Sequence, residues 1–92
     1  MHIQYFGSIR AAAQKSGEEL EISSSTSLFR LLENLTKQYD EDFCGEILAE
    51  GRLRDDLTLS LNGRIVGHEA SKDVFLQQDD TLALLPMFPG GG

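Results

Sequence analysis

The chain has few of the residues that mark several classes of protein. Its one cysteine, Cys44, excludes an internal disulfide and cannot supply the usual four ligands of an iron–sulfur cluster. No segment approaches the roughly 18 apolar residues of a membrane span, and the first residues lack the basic and apolar regions of a signal peptide. From these absences we expect a protein of the reducing cytoplasm that binds no membrane.

Basic residues are also scarce. Eight lysines and arginines stand against 15 aspartates and glutamates, which gives a net charge of −7. This excess argues against a nucleic-acid partner, which requires clustered lysine and arginine. The two histidines, His2 and His68, have no ligand spacing, so no metal site is expected. The acidity either steers the protein toward a basic partner or only keeps it soluble, and charge alone favours the second.

The 92 residues suit one domain with a modest core, and the chain opens with two predicted strands. "MHIQYF" alternates between two faces as a strand does, and "EELEIS" repeats the alternation with Leu20 and Ile22. Between them, "IRAAAQKS" predicts a short helix. Ser8 is its expected N-cap, and Gly17 suits the position after its end.

The clearest helix lies in "SSSTSLFRLLENLTKQY" and runs from about 26 to 39. Ser25 or Thr26 can cap it. Its apolar stripe consists of Leu28, Leu31, Leu32, Leu35 and Tyr39. "EDFCGEILAEG" predicts a short second helix that ends at Gly51, with Cys44 packed beside it as a small buried hydrophobe.

The second half of the chain predicts a hairpin and a final strand. In "LTLSLNGRIV" the leucines alternate, and Asn62-Gly63 is typical of a type I′ turn. Residues 67–80 are expected to form a loop that ends in a turn at Asp79-Asp80. Three residues, Val74, Phe75 and Leu76, are expected to anchor this loop to the core. "TLALL" follows as the last strand.

The order of these elements predicts a two-layer α+β domain with a mixed sheet of about five strands, one main helix and one or two short helices. The first and last strands are the most apolar, so we place them side by side at the centre of the sheet. We expect residues 1–86 to form the domain and residues 87–92 to form a flexible tail that continues from a central strand.

The tail has no side chain suited to acid, base or nucleophilic chemistry, because Gly90, Gly91 and Gly92 end the chain. The carboxylate of Gly92 remains, at the end of a six-residue tail that could reach about 20 Å if extended. A carboxylate needs a better leaving group, such as an adenylate, before it reacts with a nucleophile. The chain has no phosphate-binding glycine loop, so the ATP site must belong to another protein.

Terminal glycines also fit a disordered tail or a cloning remnant. However, "LLPMFP" joins the tail to the last strand without a polar linker, which favours a functional tail.

With these patterns together, the sequence resembles the ubiquitin-like sulfur carriers of the MoaD/ThiS family, most of all the MoaD branch, the small subunit of molybdopterin synthase. The resemblance rests on "YFGSIR", "STSLFRLLENL", "LSLNGRIV" and "DDTLALLPMFPGGG", and it spans nearly the whole chain. It implies a ubiquitin-like β-grasp fold. The tail is one residue longer than is usual in this family.

The resemblance also implies a function. An E1-like enzyme would use ATP to adenylate the carboxylate of Gly92, which would then become a thiocarboxylate. The thiocarboxylate would donate sulfur to a pterin precursor held by the synthase large subunit. The tail residues that enter the partner would be Met87, Phe88, Pro89, Gly90 and Gly91. The chain would be a carrier subunit with no bound cofactor and no catalytic role of its own.

An exposed apolar surface is expected to dock these partners. If Met1, Ile3 and Tyr5 face the helix, Phe6 faces away, and Leu85 does so in the last strand. Ile65 follows the hairpin turn and is also expected to be exposed. Apolar groups exposed on one face of a sheet mark a partner surface. Arg10 is a further candidate that would pair with a partner carboxylate, although a solvated surface arginine is the simpler interpretation.

Three other functions remain open on the sequence. The same activated tail could form isopeptide bonds with lysines of other proteins, as in a ubiquitin-like modifier, or carry sulfur for thiamine synthesis. The chain could instead be an interaction module with an inert tail.

Overall fold

The computed structural model describes residues 1–23 and 25–86. The predicted tail residues, Met87 to Gly92, lie outside this range, as does the predicted boundary after residue 86. The elements in chain order are β1 (His2–Tyr5), α1 (Gly7–Ala13), β2 (Gly17–Glu19), α2 (Leu28–Gln38), α3 (Glu41–Ile47), β3 (Leu48–Ala49), β4 (Arg52–Leu53), β5 (Thr58–Leu61), β6 (Arg64–Val66), a 3₁₀ turn (Ala70–Lys72) and β7 (Thr81–Leu85).

Five strands form a mixed sheet in the order β2-β1-β7-β5-β6. The first and last strands, β1 and β7, are neighbours, as predicted, and they run parallel, whereas the remaining pairs are antiparallel. β7 therefore lies at the centre of the sheet. The hairpin prediction is also confirmed, because Asn62 and Gly63 have φ angles of +53° and +84° between β5 and β6.

One side of the sheet packs against α2 and forms the core. The apolar stripe of α2 is buried at Leu28, Leu31, Leu32 and Leu35. These side chains meet the buried strand residues Ile3, Tyr5, Leu59, Leu82 and Leu84. A mixed sheet that holds one main helix in this way is the ubiquitin-like β-grasp arrangement, so the fold prediction is confirmed.

The structure corrects the predicted start and end of α1. Ser8 does not cap this helix: the N-cap is Phe6, without a side-chain cap, and the Ser8 hydroxyl donates to Glu46 Oε2 at 2.9 Å. Gly17 does not follow the helix either, because α1 ends at a left-handed Gln14 and Gly17 begins β2. A Cβ on Gly17 would lie 2.4 Å from the carbonyl oxygen of Ile3, so close strand pairing requires glycine there.

Leu20 and Ile22 are not in the second strand, since β2 ends at Glu19. They are half-buried and pack on the core from the segment that follows. The predicted cap of α2 is also wrong: Ser27 is the N-cap, and its hydroxyl accepts from the Arg30 amide at 3.1 Å. The hydroxyls of Ser25 and Thr26 instead contact that of Ser23.

Two further predictions fail downstream. The second short helix ends at Ile47, before a small β3–β4 hairpin whose turn contains Glu50 and Gly51, both at positive φ. Phe75 is 55% exposed and does not anchor its loop, whereas Leu76 is fully buried. Cys44, which was predicted to be a small buried hydrophobe, is only half-buried.

Candidate functional site

The side of the sheet away from α2, here called the outer face, carries the alternate strand residues. The strand register shows which side chains lie on this face, because directly paired residues point to the same side of the sheet. Ser60 pairs with Ile65 on β6 and with Ala83 on β7, while Thr58 pairs with Leu85. The outer face therefore consists of His2, Gln4, Thr58, Ser60, Ile65, Thr81, Ala83 and Leu85, with Glu19 at the β2 edge.

Two of the predicted docking residues lie side by side at one end of the outer face. The Phe6 amide donates to the Leu84 carbonyl at 3.2 Å, so Phe6 continues the β1–β7 register by one position and lies next to Leu85. Phe6 is 41% exposed and Leu85 is half-buried. The sequence thus placed both side chains on the correct side of the sheet.

The other two predicted residues lie at the periphery of this surface. Ile65 is 58% exposed on the edge strand β6, two strands from Leu85, with the small residues Ala83 and Ser60 between them. Arg10 is exposed one helical turn after Phe6, since its amide donates to the Phe6 carbonyl at 3.2 Å. Its guanidinium makes no ion pair with residues in the described ranges.

The outer face differs in charge from the rest of this acidic protein. Along the outward positions of β1, β5, β6 and β7 there is no carboxylate, although the chain has 15. Glu19 is the acidic residue at the β2 edge, and its Oε1 lies 2.8 Å from His2 Nδ1. A patch that combines exposed apolar groups, small side chains and little charge is suited to burial against another protein.

The tail begins at this patch. β7 ends at Leu85, and Pro86 follows as the last residue that the structure describes before Met87. The Pro86 ring lies over Gly7: a Cβ on Gly7 would be 2.8 Å from Pro86 Cγ. Sequence reasoning missed Gly7, although a glycine at the first position of a helix was a detectable signal, since glycine is a weak helix former.

A partly buried polar cluster on the opposite side of the sheet was also missed. Tyr5 donates its hydroxyl to Glu18 Oε2 at 2.6 Å, and Tyr39 donates to the same oxygen. Burial opposes ionisation of Glu18, but the donors from Tyr39 and Tyr5, with Lys15 Nζ 3.6 Å from Oε1, hold the pKa of this carboxyl below its usual value.

Burial, reinforced by the hydrogen bond to Glu18, raises the pKa of Tyr5 above that of an ordinary tyrosine. The cluster therefore pairs the Glu18 carboxylate with two phenol donors, which stabilises the fold.

Within the described residues, other features do not form a chemical site. A concave pocket with a volume of about 440 Å³ is lined in part by Arg52, Arg54 and Lys72. Arg54 is already held by Asp56 at 3.0 Å, and Lys72 lies 3.7 Å from Glu69. No group of three or more potential metal ligands occurs in the described ranges. No helix there is long and apolar enough to span a membrane.

Comparisons with known proteins agree with this geometry. The model of the ThiS family matches residues 3–91. A search of curated proteins found no match. Among solved structures, SAMP1 from Haloferax volcanii superposes with a TM-score of 0.80 at 18% identity, covering 99% of this chain and 98% of that one.

Two further structures are similar over nearly their whole length. The "Putative molybdopterin converting factor, subunit 1" from Pyrococcus furiosus has a TM-score of 0.73 at 28% identity and 95% coverage of each chain. Urm1 from Trypanosoma brucei has a TM-score of 0.77 at 19% identity, covering 98% of this chain and 93% of that one. With the family model matching almost from end to end, the chain belongs to the ThiS family of ubiquitin-like sulfur carriers.

Proposed function

We propose that this protein carries sulfur on its C-terminus for molybdopterin synthesis, as the small subunit of the synthase. An E1-like partner binds ATP, and the Gly92 carboxylate attacks the α-phosphate to form an acyl adenylate with release of pyrophosphate. A sulfur nucleophile then attacks the acyl carbon and displaces AMP. If the nucleophile is hydrosulfide, Gly92 then ends directly in a thiocarboxylate; if it is a persulfide, an acyl disulfide forms, and a thiol reductant cleaves its sulfur–sulfur bond to give the same thiocarboxylate.

The observation that carries this proposal is the position of the tail relative to the outer face. The central strand β7 runs directly into the tail, and Phe6 and Leu85 lie at that same end of the sheet. A partner that binds this end is thus already next to the start of a segment that reaches about 20 Å. The domain provides binding energy, and the partner provides the chemistry.

Docking uses the apolar groups of the outer face. Burying Phe6, Ile65 and Leu85 removes apolar surface from water. It does not require a carboxylate at these positions to lose its hydration, which would cost free energy. Arg10 lies beside this surface, and its guanidinium is available for a carboxylate of the partner. The activating enzyme and the synthase large subunit bind the same surface in turn, since each must receive the same tail.

The pterin precursor is the proposed acceptor because of the resemblance to MoaD and the 28% identity with the Pyrococcus furiosus protein. The thiocarboxylate sulfur attacks the precursor in the large subunit, and Gly92 returns to a carboxylate when the carbon–sulfur bond is hydrolysed. A partner channel that excludes water until then protects the thiocarboxylate.

A modifier role is the second candidate, and the fold similarity to proteins named small archaeal modifiers favours it. In that case a lysine amine, instead of a sulfur nucleophile, displaces the activating group, and an isopeptide bond forms.

Intact mass spectrometry tests these alternatives. The full chain is incubated with ATP, the cognate activating enzyme and a sulfur donor. We expect a gain of about 16 Da, the difference between sulfur and oxygen in an activated-carboxylate exchange, and none when Gly91 and Gly92 are both deleted. Conjugates of higher mass that contain lysine would favour the modifier. An unchanged mass with every cognate enzyme would reject both.

Docking is tested with two matched variants. Ile65→Ser and Phe75→Ser each remove one exposed apolar side chain, at 58% and 55% exposure, but Phe75 lies next to Ser27 and away from the outer face. We expect Ile65→Ser alone to weaken binding to the activating enzyme, measured by calorimetry. Equal Kd values for the two variants would contradict the assignment of this face.

A further inference from the structure

Gly7 and Pro86 are in contact at the point where the tail leaves the domain. An ideal Cβ on Gly7 would lie 2.8 Å from Pro86 Cγ and 3.3 Å from Pro86 Cδ. The shorter distance is one that real Cβ atoms essentially never show, so only a bare α-carbon leaves room for the proline ring. Gly7 also has a φ angle of +56°, which other L-residues rarely adopt.

Hydrogen bonds on both sides fix this contact. The Phe6 amide donates to the Leu84 carbonyl at 3.2 Å, which holds β1 against β7 just before Gly7 and Pro86 meet. The Ser8 hydroxyl donates to Glu46 at 2.9 Å and ties the start of α1 to α3. Gly7 is therefore held on both sides and presents a fixed surface to the proline.

Neither the helix nor the core explains a glycine at this position. Glycine is among the weakest helix formers, and Gly7 is exposed, so it fills no space in the core. Glycine is required here by the positive φ angle and by the proline ring together. Pro86 has a restricted φ angle, so once its ring is seated on Gly7, the position of its carbonyl carbon, from which the tail continues, is set.

We infer that Gly7 is a positioning residue for the tail. By seating Pro86, it holds the point at which the chain leaves the domain, from which the Gly92 carbonyl must reach a partner. The inference rests on the proposed activation of Gly92 and assigns to that reaction a residue with no reactive group. A displacement of about 1 Å at a reacting centre costs on the order of 100-fold in rate, so a small tilt at the tail's base matters.

The first test measures adenylation of the Gly7→Ala variant. We expect its kcat, followed by ATP–pyrophosphate exchange, to fall by about tenfold or more. Its Kd for the activating enzyme should stay near the wild-type value, because the outer-face side chains are unchanged. Gly51→Ala is the matched control: Gly51 has a φ angle of +79°, but its added Cβ meets nothing within 4 Å. It has the same kind of backbone strain without the contact and should keep the wild-type kcat.

A double-mutant cycle then identifies the contact itself. Pro86→Ala removes the ring atoms that a Cβ at position 7 would strike, so Gly7→Ala should cause little further loss of kcat in that background. Urea unfolding of each variant confirms that the protein is folded under assay conditions. Losses that simply multiply in the double variant would overturn the inference.

A readout without any partner separates this inference from the proposed function. We expect the ¹⁵N heteronuclear NOE of the Met87 amide to be lower in Gly7→Ala and Pro86→Ala than in the wild type and Gly51→Ala. If the wild type is never adenylated, the proposed function fails. The NOE still tests whether the contact between Gly7 and Pro86 restricts the motion of the Met87 amide. Equal NOE values in all four proteins, or a Gly7→Ala kcat equal to that of the wild type, would reject the positioning role.

Discussion

Asn62 and Asp80, 18 residues apart in sequence, are joined by a hydrogen bond of 2.8 Å from Asn62 Nδ2 to Asp80 Oδ1. Asn62 Oδ1 also accepts from the Thr81 amide at 2.9 Å. The turn between β5 and β6 is thereby tied to the start of β7. One side chain thus connects the hairpin to the strand from which the tail continues.

Substitution of Asn62 should separate these hydrogen bonds from the turn's backbone geometry. Asn62→Gly keeps a residue suited to a φ angle of +53° but loses both side-chain bonds. We expect it to lower the free energy of unfolding by about 1–2 kcal/mol. Asn62→Ala loses the same bonds and adds roughly 1 kcal/mol of backbone strain. Urea denaturation measures both, and equal stability of Asn62→Gly and the wild type would contradict the role of the bonds.

Truncations of side chains on the two faces of the β5–β6 hairpin should lower the free energy of unfolding by very different amounts. Leu59 is fully buried, so Leu59→Ala should reduce the free energy of unfolding by about 2–5 kcal/mol. Ile65 is 58% exposed, so Ile65→Ala should change it by less than about 0.5 kcal/mol. Thermal or urea unfolding of the pair checks the assignment of inner and outer faces, which similar losses would refute.

Acid should weaken the cluster formed by Tyr5, Glu18 and Tyr39. The pKa of folded Glu18 is lowered from its ordinary value of 4.5, so its ionised form stabilises the folded state above that pH. This contribution is lost as the pH falls through the lowered pKa. We expect the stability difference between the wild type and Glu18→Gln to be largest near neutral pH and to shrink below about pH 4.5. Unfolding curves from pH 7 to 3 test it, and a difference that does not vary with pH would show that the charge is irrelevant.

Two serines near the start of α2 offer a matched test of helix capping. Ser27 accepts from the Arg30 amide at 3.1 Å, so Ser27→Ala should lower the free energy of unfolding by about 1 kcal/mol. Ser25 is exposed and its hydroxyl contacts only Ser23 among the described side chains, so Ser25→Ala should cost less than about 0.5 kcal/mol. Equal losses in urea unfolding would mean that the cap is not the stabilising feature.

Much of the fold could be predicted because local patterns agree with it. The leucine stripe of α2 and the Asn62-Gly63 turn are signals that lie within a few residues. The pairing of β1 with β7 followed from their apolar character, because the most buried strands take the centre of a sheet.

Helix ends were less predictable because several residues compete for each one. Ser25, Thr26 and Ser27 all have hydroxyls suited to capping, and the Ser27–Phe75 bridge lies at the residue that became the cap. Gly17 looked like the end of a helix in the sequence, but its real constraint is the close approach of the Ile3 carbonyl from β1. Neither neighbour is visible in a local window.

The sequence by itself determined the class of the domain, the buried faces of β1, β5 and β7 and the chemistry available to the tail, since these follow from periodicity and from the absence of side chains in Gly90, Gly91 and Gly92. Only the tertiary structure decided that Phe6 lies beside Leu85 and that Gly7 meets Pro86. These contacts join the segment after β1 to the end of β7. They depend on the register of the parallel pair β1 and β7, which arises only when the sheet assembles around its core.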